Sequence, residues 1–344
     1  MSVVSPYAGQ VAGSDSAEQA GAHDRPFPLK SKLAAAALKG IESSGRRVNV
    51  PSPGTRTEYY TASQDVTWYQ ELRKFRQNAD SVSPLTVGAL FTEPEAFRPG
   101  RRTEYWNHPV GAPAPAADGR QLTRVGDTVT LDLPMVGDSD RRHLSMTDDV
   151  YATYDYTLSR DGEQIAKSRG GAEEFPRNTA LAAWRVPAGT GTYTLKAHAD
   201  RGSWNGTATD VEGVWTFGSA TVAEGGTAAL PLASVRFKPQ VDEWSRSEHN
   251  RVVAVPFDIQ RTGDQPRGGL RALTVEASFD GGTTWKRVRV VKNRALIAHP
   301  DLATLPAEHV DLNGHGYVGL RVKGADRVSS FEVTVRKAYK LKAS

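Results

Sequence analysis

The chain has 344 residues, 38% of them hydrophobic, with 32 Gly and 20 Pro; this length suits two ordinary domains, and the texture is one of short strands joined by turns rather than of helical bundles. Its 43 basic and 39 acidic residues leave a net charge of +4, too little to argue for nucleic acid when no Lys/Arg block is interleaved with aromatics. There is no cysteine, which excludes disulfides, zinc–thiolate sites and a cysteine nucleophile, and no window approaches the roughly 20 apolar residues that cross a bilayer.

In chain order, Met1 to Gln19 has neither a basic leader nor an apolar stretch, so it reads as carrying no secretory signal. Residues 1–45 are expected to be a disordered tail, since small polar residues cannot bury enough apolar surface to offset ordering entropy. Within the tail, residues 30–40 are Ala-rich with Leu33, Ala37 and Leu38 on one face and Gly40 as a stop, which predicts one short helix. From Arg46 the pattern turns to strands. Trp68 to Phe75 is ambiguous in period and is assigned to a strand by its neighbours. Thr128–Leu133, Tyr154–Leu158 and Gly191–Ala197 alternate apolar and polar, and Asp161-Gly162 marks a tight reversal. Residues 46–220 therefore read as an N-terminal β-sandwich with aromatic-rich lead-in strands, the Gly/Ala-rich 221–232 as a linker, and 233–344 as a C-terminal β-sandwich. The expected fold class is all-β, with two immunoglobulin/fibronectin-like sandwich domains in tandem.

The search for chemistry finds no assembled catalytic pattern. No G-x-S-x-G is present, and the eight His residues form neither H-E-x-x-H nor H-x-H, so no catalytic residue is assigned. Asp311-Leu312-Asn313-Gly314-His315-Gly316 matches the opening of a calcium loop except for His315. The closing Glu that a loop of about twelve residues requires is replaced by Val322. Asp311 and Asn313 are thus a Ca²⁺ candidate set against a polar loop that feeds a strand, and no other metal or cofactor is indicated. Trp184 and Trp215 lie in strands and read as core. Trp204 and Trp244 sit in turn-like surroundings and are the candidates for a ligand-stacking platform.

Ser278-Phe279-Asp280-Gly281-Gly282-Thr283-Thr284-Trp285 resembles the Asp-box hairpin, S-x-D-x-G-x-T-W, found in sialidases and many other secreted β proteins. The resemblance implies a structural role for Ser278, Asp280, Gly282, Thr284 and Trp285: the polar side chains bond back to the turn and the Trp packs beneath it. Sialidase-like catalysis would need several copies, and one is present.

A wider resemblance covers about four-fifths of the chain. It is carried by Glu58-Tyr59-Tyr60 with Val66-Thr67-Trp68, by Phe97-Arg98-Pro99-Gly100 leading to Glu104-Tyr105-Trp106-Asn107, and by Tyr156 to Gly162. Pro231 to Phe237, Leu273 to Trp285, Tyr317 to Lys323 and Val335 to Tyr339 complete the series. In this order they resemble the C-terminal accessory region of secreted subtilisin-like (S8 family) serine peptidases of actinobacteria. The family's catalytic blocks, D-[ST]-G, H-G-T-H and G-T-S-M-A, are missing. The resemblance therefore implies an extracellular, non-catalytic accessory region that stabilises, spaces or targets a peptidase catalytic domain. The alternative is a module that binds extracellular polysaccharide or cell wall. The implied partner is a peptidase domain or an extracellular polymer, with no nucleic acid and no membrane span.

Overall fold

The computed structural model describes residues 2–5, 9–14, 45–50, 54–60, 62, 64, 67–76, 85–115, 121–145, 152–171, 182–202, 206–263 and 269–342. The helix expected over 30–40 and the expected platform residue Trp204 lie outside the described residues. What is described is all-β, built on large antiparallel sheets. The described helical turns are two single 3₁₀ turns, Leu302–Thr304 and Ala307–His309, and among the described residues no helix is long and apolar enough to cross a membrane.

Alternation in the sequence becomes alternation in burial. Along Thr153–Arg160 and Gly191–Asp200 every second side chain is buried, including Tyr154, Tyr156, Leu158, Tyr193 and Leu195, because successive residues of a strand face opposite sides of the sheet. These two strands pair with each other, and Glu163–Gly171 flanks them through the Asp161-Gly162 reversal. On the far side of Gly191–Asp200 lies Asp210–Ser219.

Asp210–Ser219 then pairs antiparallel with the closing strand Ser329–Leu341, from Asp210 opposite Arg336 to Phe217 opposite Ser329. The ladder continues through Gly316–Ala325 and Ala272–Ser278, and onward through Lys286–Val291, Arg294–His299, Arg251–Thr262 and Leu232–Phe237. One sheet path therefore runs through both of the expected domains. Its corner is made by Arg251–Thr262, whose first half pairs with Arg294–His299 and whose second half pairs with Leu232–Phe237. Pro256 sits at the switch, where a residue with no N–H to give a ladder is tolerated.

A smaller sheet of Ala182–Arg185, Thr128–Leu131, Leu122–Val125 and Ala228–Ala229 belongs to the first half of the fold. The segment 221–232, expected as a linker, is tied along it: the Leu230 N–H donates to the Leu122 carbonyl (2.8 Å) and the Val222 N–H to that of Gly126 (3.2 Å). One hydrophobic cluster runs from Val110 to Leu341 and includes Trp184, Trp215, Phe217, Phe257 and Tyr339. The Trp215 indole N–H donates to the Ala233 carbonyl at 2.7 Å, so the two halves share a hydrogen bond inside that core.

The lead-in strands form two further sheets, one of Leu144–Ser145, Leu85–Phe91, Tyr69–Arg76, Gly9–Ser14 and Gly45–Val50, and one of Gly54–Thr57, Ser2–Ser5 and Thr103–Tyr105. Ser2–Ser5 and Gly9–Ser14 fall in the stretch expected to lack structure. Composition weighs what side chains can bury; main-chain pairing to strands far along the chain is a contribution it does not register.

Candidate functional site

The expected turn residues come first. Asp280 accepts from the Thr284 N–H at 2.9 and 3.0 Å, from the Thr284 hydroxyl, and from the Ser278 hydroxyl at 2.7 Å. The Gly282 N–H donates to Ser278 Oγ at 2.9 Å, and the Trp285 indole N–H to the Gly282 carbonyl at 2.9 Å. Arg321 lies over the Trp285 ring, 4.5 Å from its centroid. Gly281 and Gly282 take positive φ angles of 70° and 95°, a region that favours glycine. Burial pushes the Asp280 carboxyl up, but the bonds from Thr284 and Ser278 outweigh it and hold the group at about 2.

Asp311 is likewise turned inward. Its Oδ1 accepts from the backbone N–H of Asn313 (2.9 Å) and of His315 (3.0 Å), and its Oδ2 from the Tyr317 hydroxyl (3.0 Å). Both Asp311 carboxylate oxygens are thus engaged in closing the loop. Trp244 is 54% exposed, with Arg246 at 5.9 Å from its ring centroid.

Another group with metal-ligand chemistry lies on the sheet face. His198, Asp210 and Glu212 place ligand atoms within 4.8 Å of one another. His198 stands opposite Glu212 in the ladder, and Asp210 is two residues away on the same face. The Arg336 guanidinium donates to both carboxylates, so a cationic side chain of the closing strand already balances them.

Sequence reading missed a heavily built polar region, the seam where the lead-in segment meets the large sheet. Asp138 Oδ2 accepts from the Asn107 N–H (2.8 Å) and lies 2.8 Å from His143 Nδ1, and the His143 ring stacks on buried Trp106 with centroids 4.0 Å apart. Burial disfavours the charged imidazole, but the Asp138 carboxylate overrides it and raises the His143 pKa. Arg142 grips Asp140 through two bonds, of 3.2 and 2.7 Å. Burial alone would raise the Asp140 carboxyl; the Arg142 fork holds it well below its ordinary range. Arg102 bridges Glu95 and buried Glu104, and Arg142 also reaches Glu104 at 3.4 Å.

Fully buried Arg236 ties this segment to the second half of the molecule. It donates to the carbonyls of Ala112 (3.3 Å) and Asp138 (3.0 Å) and to Gln260 Oε1 (3.2 Å). Without a carboxylate in direct contact, burial lowers its pKa to about 10.

Asp, His and Ser are neighbours at this seam but form two separate pairs. Ser139 Oγ lies 3.0 Å from His108 Nδ1, whereas Asp138 holds His143. A nucleophilic relay needs the free nitrogen of the Asp-bound His on the hydroxyl; His143 Nε2 is buried and has no hydrogen-bond partner among the described residues.

Two clefts flank the Glu95–Arg102 pair. One, of about 480 Å³, runs between Tyr59–Tyr60 and Phe97–Arg102. The other, of about 630 Å³, lies between Thr92–Glu95, Arg141–Arg142 and Ile259–Thr262. The only local traces of the clefts are the doublets Arg101-Arg102 and Arg141-Arg142, too common a pattern to single out. No protein-family model matches the chain, and no curated protein is similar to it.

Proposed function

We propose that this chain is the non-catalytic accessory region of a secreted subtilisin-like serine peptidase, and that it stabilises, spaces or targets the catalytic domain outside the cell. In this reading the fold is a pair of immunoglobulin/fibronectin-like sandwiches, joined edge to edge through the ladder between Asp210–Phe217 and Ser329–Arg336. The observation that carries the reading is spatial. Leu273–Ser278, Tyr317–Lys323 and Val335–Tyr339, which bear the family resemblance in the closing half, are adjacent strands of one sheet. They therefore pack as one unit. The inward hydrogen bonding of Asp280 and Asp311 supports the same reading, because side chains spent on turn amides are not presented to a substrate.

The test is to mix the purified chain with a purified subtilisin-family catalytic domain. Co-elution on size exclusion, together with a raised melting temperature of the catalytic domain, is the expected result. Failure to co-elute and an unchanged melting temperature would overturn the proposal. So would casein hydrolysis by the chain alone that a serine-directed inhibitor abolishes.

A further inference from the structure

The two clefts beside the seam share Glu95 as a lining residue, so they are the two adjacent lobes of a groove divided at that side chain. Each is in the size range of roughly 300–1,000 Å³ that holds a ligand of a few rings. At one end Tyr59 is 93% exposed, while its neighbour Tyr60 packs edge-on against Trp68 (4.6 Å) and Phe97 (5.1 Å). A large ring left in water beside a cleft is a surface on which the flat face of a sugar ring can stack.

Charge selects among sugars. Arg98 and Arg101 border the aromatic cleft and Arg141 the second one. All three are exposed, and none has an ion-pair or hydrogen-bond partner among the described residues. The neighbouring Arg102, Arg142 and Arg261 are already neutralised by Glu95 and Glu104, by Asp140, and by Asp326. An excess of unpaired guanidinium forks therefore faces the groove, in the geometry that receives carboxylates in pairs of bonds.

Acceptors select further. Glu58, Glu93 and Glu95 also line the groove. A nucleotide polymer and an acidic peptide each bring few hydroxyl donors to them. A chain of sugar hydroxyls supplies a donor at every ring.

We propose that this groove binds an acidic polysaccharide whose sugars carry carboxylates, with Tyr59 as the stacking platform and Arg98, Arg101 and Arg141 as the carboxylate contacts. The proposal is independent of the accessory role, since it concerns what the groove holds and not which domain the chain serves.

Affinity electrophoresis of the full chain through gels containing polygalacturonate tests it, with uncharged dextran, poly(dT) and poly-L-glutamate as competing probes. Polygalacturonate should retard the chain and dextran should not, and added salt should weaken the retardation. Tyr59→Ala, and Arg98→Ala combined with Arg101→Ala, should each weaken binding by about fivefold or more; Trp244→Ala, outside the groove, should leave it unchanged. Near-UV circular dichroism reports whether each variant is folded, and the Arg98→Gln/Arg101→Gln pair replaces the double alanine variant if that one is not. No retardation by polygalacturonate, equal retardation by dextran, tighter binding of poly(dT) or poly-L-glutamate, or folded groove variants that bind like the original chain would each overturn the proposal.

Discussion

At Asp280 a single carboxylate organises a turn. Its oxygens gather the Thr284 amide and hydroxyl and the Ser278 hydroxyl, and a neutral amide in its place would lose the charge-assisted part of each bond. Asp280→Asn should therefore lower stability at about pH 7 by roughly 1–2 kcal/mol in urea denaturation. A carboxyl held at about 2, below its ordinary 3.8, contributes stability that is present above the ordinary value and fades as pH falls through the folded one. The gap between the original chain and the variant should accordingly close between about pH 4 and about pH 2, and a gap that stayed constant would show that the charge is not what matters. The residue pattern made this turn legible, because every partner lies within a few positions of Asp280. The Asp138–His143 pair and its stacking on Trp106 were not legible, since Trp106 is brought to the pair by the path of the chain rather than by its spacing.

Among the elements, strands declared themselves wherever one face is buried and the other wet, as in Thr153–Arg160 and Gly191–Asp200. Leu232–Phe237 is different: all six of its residues are buried, including the charged Arg236. Lead-in residues 108–115 and 134–143 cover it, and Arg236 answers their carbonyls. Arg236→Met would fill a similar volume but leave the carbonyls of Ala112 and Asp138 without that donor. We expect a loss of about 2 kcal/mol and faster amide hydrogen exchange at Ala112 and Ala114, read by mass spectrometry. Unchanged stability would mean that relief from burying the charge offsets the lost bonds.

For the whole molecule, the ladder between Asp210–Phe217 and Ser329–Arg336 and the common core from Val110 to Leu341 couple the two halves. Cutting between them would bare a long strand edge together with Phe331, Val333 and Val335, all buried in the intact chain. Calorimetry of the full chain should show one cooperative transition, and residues 233–344 produced alone should give poorly dispersed NMR spectra. Two well-separated transitions, or a dispersed spectrum from that piece, would show that the halves fold independently.

Local physics was enough to determine that the chain is made of strands, which faces of many of them are buried, and where Asp161-Gly162 and the Ser278–Trp285 turn reverse it, because those features depend on residues a few positions apart and on side-chain alternation. Tertiary structure alone decided that the strand ending the first half lies beside the strand ending the chain. It alone seated buried Arg236 against the lead-in segment, and it alone brought Tyr59 and Arg98 to one cleft and Arg141 to a neighbouring one. The reason is that strand pairing is satisfied equally well by any extended partner, so which edges meet is settled by the burial of the whole core, a quantity no short window of sequence contains.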